Sequence, residues 1–202
     1  MSESENKRIG AVITAAGMSS RMGRFKPLLP FGNGTVISRC VSNMKCAGAQ
    51  TIVVVTGNNA DEIRAHLKES GCIFAHNPDF AESQMFDSLC IGLAAIEGKC
   101  DRVLITPVDV PAVSERTVTA LAQSEADIAR PVYNGKTGHP LAINAALIPK
   151  ILSYGGEGGL RGALQSLGTP ITDIETDDEG IGIDADTPED YDRILKLEGS
   201  RK

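Results

Sequence analysis

The chain has 202 residues, 42% of them hydrophobic and 23% charged, which suits one generous domain with a sizeable core. Aromatic residues make up only 4% and tryptophan is absent, so the core must be aliphatic and base stacking on aromatic platforms is disfavoured. A formal net charge of -6 argues against nucleic acid or an anionic membrane surface as a partner.

Short β-branched runs alternate with amphipathic helical patterns, as expected of a mostly parallel sheet covered by helices. Residues 9–14 (IGAVIT) read as the first strand and run straight into a loop at 15–32. A helix follows with Val36, Cys40 or Val41, and Met44 on one face, ending near Gly48. Residues 51–56 (TIVVVT) form an uninterrupted buried strand that stops at Gly57-Asn58. The next helix is expected to begin near Asn59, with Glu62 as its capping-box partner and Ile63 and Leu67 facing inward. Residues 72–75 make a short third strand leading to His76-Asn77-Pro78. Met85, Leu89, Leu93 and Ile96 mark another helix by their spacing. Residues 102–106 (RVLIT) are a fourth strand delivering Pro107-Val108-Asp109-Val110-Pro111, and Ser114 caps a helix carrying Val118 and Leu121.

Beyond residue 127 the pattern is less regular. Residues 128–132 and 141–143 read as strands flanking a turn at 134–140, followed by a helix at 160–167 and a strand at 171–175. Thr187 and Pro188 open a final helix with Tyr191, Ile194, Leu195 and Leu197 on its apolar stripe. No repeat, low-complexity tract or linker interrupts the chain, so residues 1–202 read as a single domain, with the polar residues 1–7 expected to be disordered. Cysteines at 40, 46, 72, 90 and 100 lack metal-site spacing and sit in apolar segments as small hydrophobes, which fits a reducing compartment. No run approaches the ~20 apolar residues of a membrane span, and the N-terminus resembles no targeting peptide; a cytoplasmic location is expected.

The charge is unevenly distributed. Residues 9–30 hold Arg21, Arg24 and Lys26 without an acid, whereas residues 171–190 hold nine acids without a base. In an open parallel sheet, ligands collect beyond the carboxyl ends of the strands, where the 15–26 loop, Gly57-Asn58, Asn77 and Asp109 all fall. Gly17 and Gly23 let the backbone approach a ligand, successive N–H groups form a nest for phosphate oxygens, and Arg21 and Lys26 supply positive charge. Neither GxGxxG nor GxxxxGK[ST] fits, so dinucleotide and P-loop readings are weak. Asp109 reads as a turn former or, beside a phosphate loop, as a magnesium ligand. Asp184 and Asp186 alternate and, on an extended segment, point the same way with Ala185 opposite. His66 and His76 read as structural or solvated, and Ser88 as either a helix-surface serine or a nucleotide contact.

The stretch AVITAAGMSSRMGRFKPLLPFG resembles the LAAGxSxRMGxxKxLLPxxG signature of the MobA-like nucleotidyltransferases, most closely the molybdenum cofactor cytidylyltransferases. The resemblance continues through Asn77, SQMFDSLCIGL, PVDVP, GHP at 138–140 and IDADTPEDY. It implies a three-layer α/β/α Rossmann-like fold with a mostly parallel mixed sheet. Ala15, Ala16, Gly17, Ser19, Asn77 and Ser88 would then contact the nucleotide, with Arg21 and Lys26 on its triphosphate. Asp109 and Asp184 would hold Mg2+, with Asp186 nearer the start of the last helix, and His139 and Arg161 would face the acceptor. Arg21, Lys26 and Asp109 would carry catalysis.

The family's guanylyl-transferring branch usually reads LAGG where this chain reads TAAG; the Ala16 methyl therefore leans towards CTP, by about 1–3 kcal/mol at most. The implied reaction is cytidylyl transfer from CTP to the terminal phosphate of a molybdopterin-type acceptor, with a molybdoenzyme or maturation chaperone downstream. Transfer from GTP or another NTP, transfer to a sugar phosphate or other phosphorylated alcohol, and a non-catalytic nucleotide-binding chaperone of the cofactor stay open. The segment GGEGGLRG at 155–162 departs from the family's GDxGAR, and PVDVP from its commoner GDQP, which leaves the acceptor undetermined.

Overall fold

A computed structural model describes residues 7–18 and 22–200. Ten strands and seven α-helices follow in chain order among the described residues. β1 (Ile9–Ala15), β4 (Ala49–Thr56), β5 (Ile73–His76) and β6 (Arg102–Pro107) are the parallel heart of the sheet. Beyond β6 lie β9 (Leu141–Asn144), β7 (Ile128–Tyr133) and β10 (Ile171–Glu175), giving the order β10-β7-β9-β6-β1-β4-β5. β9 is antiparallel to both β6 and β7, so the sheet is mixed, and β8 (Lys136–Thr137) forms a hairpin with β7.

Side-chain alternation along the strands feeds two cores, because successive residues of a strand face opposite ways. Ala11, Ile13, Ile52 and Val54 pack on one face with α1 (Val36–Cys46), α4 (Glu115–Gln123) and α7 (Pro188–Ser200). Val12, Val53 and Val55 pack on the other with α3 (Met85–Ile96), α5 (Ile148–Leu152) and α6 (Gly159–Ser166). α2 (Ala60–His66) joins the first face through Ile63 and Leu67. This is a Rossmann-like α/β/α sandwich whose switch points open at the carboxyl end of β1.

Several local expectations are corrected. Asn59 does not cap α2 through its side chain; it sits in the left-handed region with φ 51°, a conformation asparagine tolerates, and forms an isolated bridge with Gly57. The 15–32 loop is not wholly irregular: a 3-10 turn at Lys26–Leu28 leads into the hairpin of β2 (Pro30–Phe31) and β3 (Gly34–Thr35). The expected turn at 134–140 contains β8, set by a left-handed Asn134-Gly135 pair suited to a tight hairpin. α5 has no counterpart in the sequence reading, because five residues carry too few apolar repeats to register. Ser114 and Thr187 cap as expected, the latter in reciprocal bonds with Asp190. Of the cysteines, only Cys40 and Cys100 are buried; Cys46 is exposed, and all five are free thiols. No helix among the described residues is long and apolar enough to cross a membrane.

Candidate nucleotide and acceptor clefts

The ends of β1 and β6 are locked together by a bond from Val108 N to Thr14 O of 3.0 Å. Beyond that junction, β1 passes Ala15 to Ala16 and Gly17, and β6 passes Pro107 to Val108 and Asp109. Ala15, Ala16, Gly17, Lys26, Ser88 and Asp109 line one cleft. Gly17 has nothing within 4 Å of where a Cβ would project, and Gly23 adopts φ +62°, so the loop keeps open space and a tight reversal at its two glycines. Lys26 opens the 3-10 turn before Pro27 and is only 8% exposed. Ser19 and Arg21, expected on the nucleotide, lie outside the described residues, as do residues 1–6.

Asn77 is brought near this cleft but does not line it. It is buried, and its amide donates to Ser83 Oγ at 2.8 Å and Ser88 Oγ at 2.9 Å while its carbonyl oxygen accepts from Asp79 N at 3.0 Å. Its side chain therefore braces the 79–88 segment against the end of β4, where its backbone N–H donates to Thr56 O at 2.8 Å. That segment contributes Phe80, Ser83, Gln84 and Met85 to the cleft wall; Ser83, Gln84 and Met85 open the SQMFDSLCIGL stretch, whereas Phe80 belongs to no motif. Asn77-Pro78 turning into a helix start was the available signal for them.

The acidic segment reaches the site through three clamps. Asp178, buried at 3% exposure, accepts from Ser114 N at 2.7 Å, Thr117 Oγ1 at 2.9 Å and Gly180 N at 3.0 Å. Gly180 passes so close to Ala112 that a Cβ would stand 2.1 Å from its carbonyl oxygen, and a Cβ on Gly138 would stand 2.2 Å from Ile181 O. His139 N donates to Ile181 O at 2.8 Å, and Ala185 N donates to Asp109 O at 2.8 Å. Asp184 is thereby set beside Asp109 from a distant part of the chain.

Ala185 is fully buried while Asp184 and Asp186 turn outward, as alternation requires. Partial burial raises the pKa of Asp184, and the Asp109 and Asp186 carboxylates raise it further against the opposing charge of Lys26. One oxygen of Asp109 is buried. At the start of α7, Thr187 and Asp190 bond reciprocally, and the Asp186 carboxylate receives Lys26 Nζ at 2.5 Å.

Asp184 also lines a second, adjoining cleft with His139, Arg130 and Arg161. Burial lowers the pKa of His139, so its imidazole is neutral at pH 7, and its buried Nδ1 lacks a hydrogen-bond partner among the described residues. His139 further borders an apolar trough with Phe86, Leu89, Gly158 and Leu160 that joins the two clefts. Among the described residues, no group of three or more His, Cys, Asp and Glu side chains is arranged to hold a metal. The neighbouring carboxylates of Asp109 and Asp184 are compatible with magnesium, which commonly takes one or two carboxylates and completes its shell with phosphate oxygens and water.

Comparison with known proteins follows the same geometry. A family profile described as MobA-like NTP transferase domain matches residues 11–171. The chain is 28% identical to the molybdenum cofactor cytidylyltransferase of Escherichia coli (strain K12), covering 91% of this chain and 93% of that one. It is 31% identical to the nicotine blue oxidoreductase of Paenarthrobacter nicotinovorans, covering 96% of this chain and 100% of that one. A solved nucleotidyl transferase from Methanothermobacter thermautotroptrophicus superposes with a TM-score of 0.83 at 27% identity, covering 98% of this chain and 100% of that one.

Proposed function

The chain belongs to the MobA-like NTP transferase domain family, and on that footing we propose that it transfers a cytidylyl group from CTP to the terminal phosphate of a molybdopterin-type acceptor, releasing pyrophosphate. The observation that carries the reading is the convergence of Lys26 and Asp109 on one cleft, with Asp184 tied to Asp109 and shared with the next cleft. A cation for the leaving group and a carboxylate for the reacting one therefore line the same cleft.

In this reaction an acceptor phosphate oxygen forms a bond to the α-phosphorus as the bond to the β-phosphate oxygen breaks, and the electron pair leaves on pyrophosphate. The backbone of Ala15–Gly17 holds the nucleoside end, and Lys26 stabilises charge on the departing pyrophosphate, with Arg21 assigned the same duty. Asp109 and Asp184 would hold magnesium, which supplies charge neutralisation to phosphates that otherwise repel each other. No general base is needed, because a phosphate monoester is already ionised at neutral pH. Ala16, buried in the cleft wall, supports the preference for CTP. His139 and Arg161, in the cleft that Asp184 shares, are assigned to the acceptor.

The test is pyrophosphate release across the four nucleoside triphosphates, with and without molybdopterin and magnesium. CTP with molybdopterin is expected to turn over fastest. Turnover with a sugar phosphate instead would reassign the acceptor, and nucleotide binding without pyrophosphate release would support a cofactor chaperone. The name of the second relative suggests an oxidoreductase; that reading predicts electron transfer with no pyrophosphate formed.

A further inference from the structure

Gly156 stands where the GDxGAR pattern carries its aspartate, and the turn around it gives a physical reason for the change. Four of the five residues at 155–159 are glycines, whose backbones are costly to order, so the turn needs an outside brace. Tyr154 supplies one. Its hydroxyl donates to Glu157 O at 2.7 Å, and the chain closes tightly around its ring. A Cβ on Gly156 would stand 2.6 Å from Tyr154 Oη, and a Cβ on Gly162 would stand 2.6 Å from the same atom. Gly158 and Gly159 then take left-handed φ values of 88° and 57° and open α6. Tyr154 also meets Phe86 of α3 edge to face, with ring centroids 6.3 Å apart. A Cβ on Gly159 would stand 3.4 Å from Phe86 Cβ, so the turn is seated against that residue as well. Phe86, Gly158, Gly159 and Leu160 line the trough that joins the two clefts, and Tyr154 stands outside it.

We propose that Tyr154 is a positioning residue for the acceptor, acting through Phe86 and the 155–159 turn to fix the walls of the trough. Gly156 leaves the room that its ring requires. The phenol touches neither substrate; it holds the start of α6 at a set distance from the start of α3. Met85, next to Phe86, lines both the trough and the nucleotide cleft, so this spacing also decides how the acceptor approaches the nucleotide. An aspartate at 156 would displace the phenol, release Glu157 O and loosen the wall. The proposal rests on the assignment of the trough side to the acceptor.

Amide hydrogen exchange at residues 157–162 and steady-state kinetics with CTP and molybdopterin test it on the full chain. The proteins compared are the wild type, Tyr154→Phe, Tyr154→Ala, Gly156→Asp and the double variant of the last two. Tyr154→Phe should speed exchange across the turn and raise KM for molybdopterin about three- to tenfold, leaving kcat and the KM for CTP unchanged. Tyr154→Ala should exceed it on both readouts. Gly156→Asp should match Tyr154→Ala, and the double variant should add less than about twofold, because the contested space is already vacant. Equal rises in both KM values would overturn the proposal in favour of a general structural role. Faster exchange with an unchanged molybdopterin KM would overturn it too, as would unchanged exchange in Tyr154→Ala. Thermal melting checks folding; if Tyr154→Ala melts early, Tyr154→Phe and Gly156→Ala decide. If the wild type releases no pyrophosphate, the transferase assignment fails and the calorimetric Kd for molybdopterin replaces KM. If molybdopterin does not bind either, the acceptor assignment and the proposal fail together.

Discussion

The two clefts are built on different parts of the sheet. The first stands over the ends of central parallel strands, where β1 runs into Ala15–Gly17 and, after one loop, Lys26, with residues 80–88 and the Pro107–Asp109 turn completing its wall. The second lies towards the mixed end of the sheet and gathers Arg130, Gly138 and His139, Arg161, and Asp184. A wall set by the ends of central strands tolerates drift elsewhere in the fold. A wall that includes a segment returning from late in the chain depends on each contact that holds it, so substitutions far from the ligand should damage it.

The largest effect should come from Asp109→Asn, which lines the first cleft beside Asp184. Turnover should fall by about 10³-fold or more, with the melting temperature close to that of the wild type. Full activity of this variant in magnesium would falsify the assignment of Asp109 to the metal. Next, Asp178→Ala removes a buried carboxylate that accepts three hydrogen bonds, and should cost about 2–4 kcal/mol in urea unfolding. Its surviving folded fraction should show a raised magnesium requirement, because the clamp that carries Asp184 is loosened. A loss of stability with no change in magnesium response would break the link between that clamp and the site.

Asn77→Ala probes the nucleotide side by the same logic. Losing the brace to Ser83 and Ser88 should raise KM for CTP by about tenfold and leave the acceptor KM alone. Arg161→Ala should do the reverse, raising the acceptor KM by roughly three- to tenfold without changing that for CTP. If both variants shift both constants equally, the division into two clefts is wrong.

The smallest effect concerns Asp184. A folded-state pKa above the ordinary carboxylate value means that folding favours the protonated form. The ionised form therefore costs stability above that pKa, and the cost disappears as pH falls through it. Metal-free Asp184→Asn should accordingly melt about 1–2 °C higher than wild type at pH 7, with the difference shrinking on acidification. A lower melting temperature at pH 7 would mean the site carries no net carboxylate repulsion.

Legibility in the sequence follows the same divide. The parallel strands read clearly because runs such as TIVVVT are buried on both faces. The loop read clearly because glycines and cations occur together where a strand ends. Ser114 and Thr187 were recognisable as caps, since their bonds are local. The bracing contacts of Asn77 are not legible: a polar residue before a proline gives no hint that its amide donates to two serines. Phe80 lies outside every motif, and α5 is too short for a periodic signal.

Asp186 shows the limit most directly. Alternation with Asp184 correctly placed both acids on one side of the segment, because strand-like geometry is set by neighbours in the chain. Proximity to the last helix suggested a place near its start, where Thr187 and Asp190 bond reciprocally and Asp186 meets Lys26. By itself, the sequence determined the parallel strands, the glycine- and cation-bearing loop after β1 and an acidic segment late in the chain, all of which depend on local pattern and composition. Only the tertiary structure decided which acid faces which cation. That choice depends on the clamps at Gly138, Asp178 and Gly180, where packing distances of a few ångströms outweigh any preference readable along the chain.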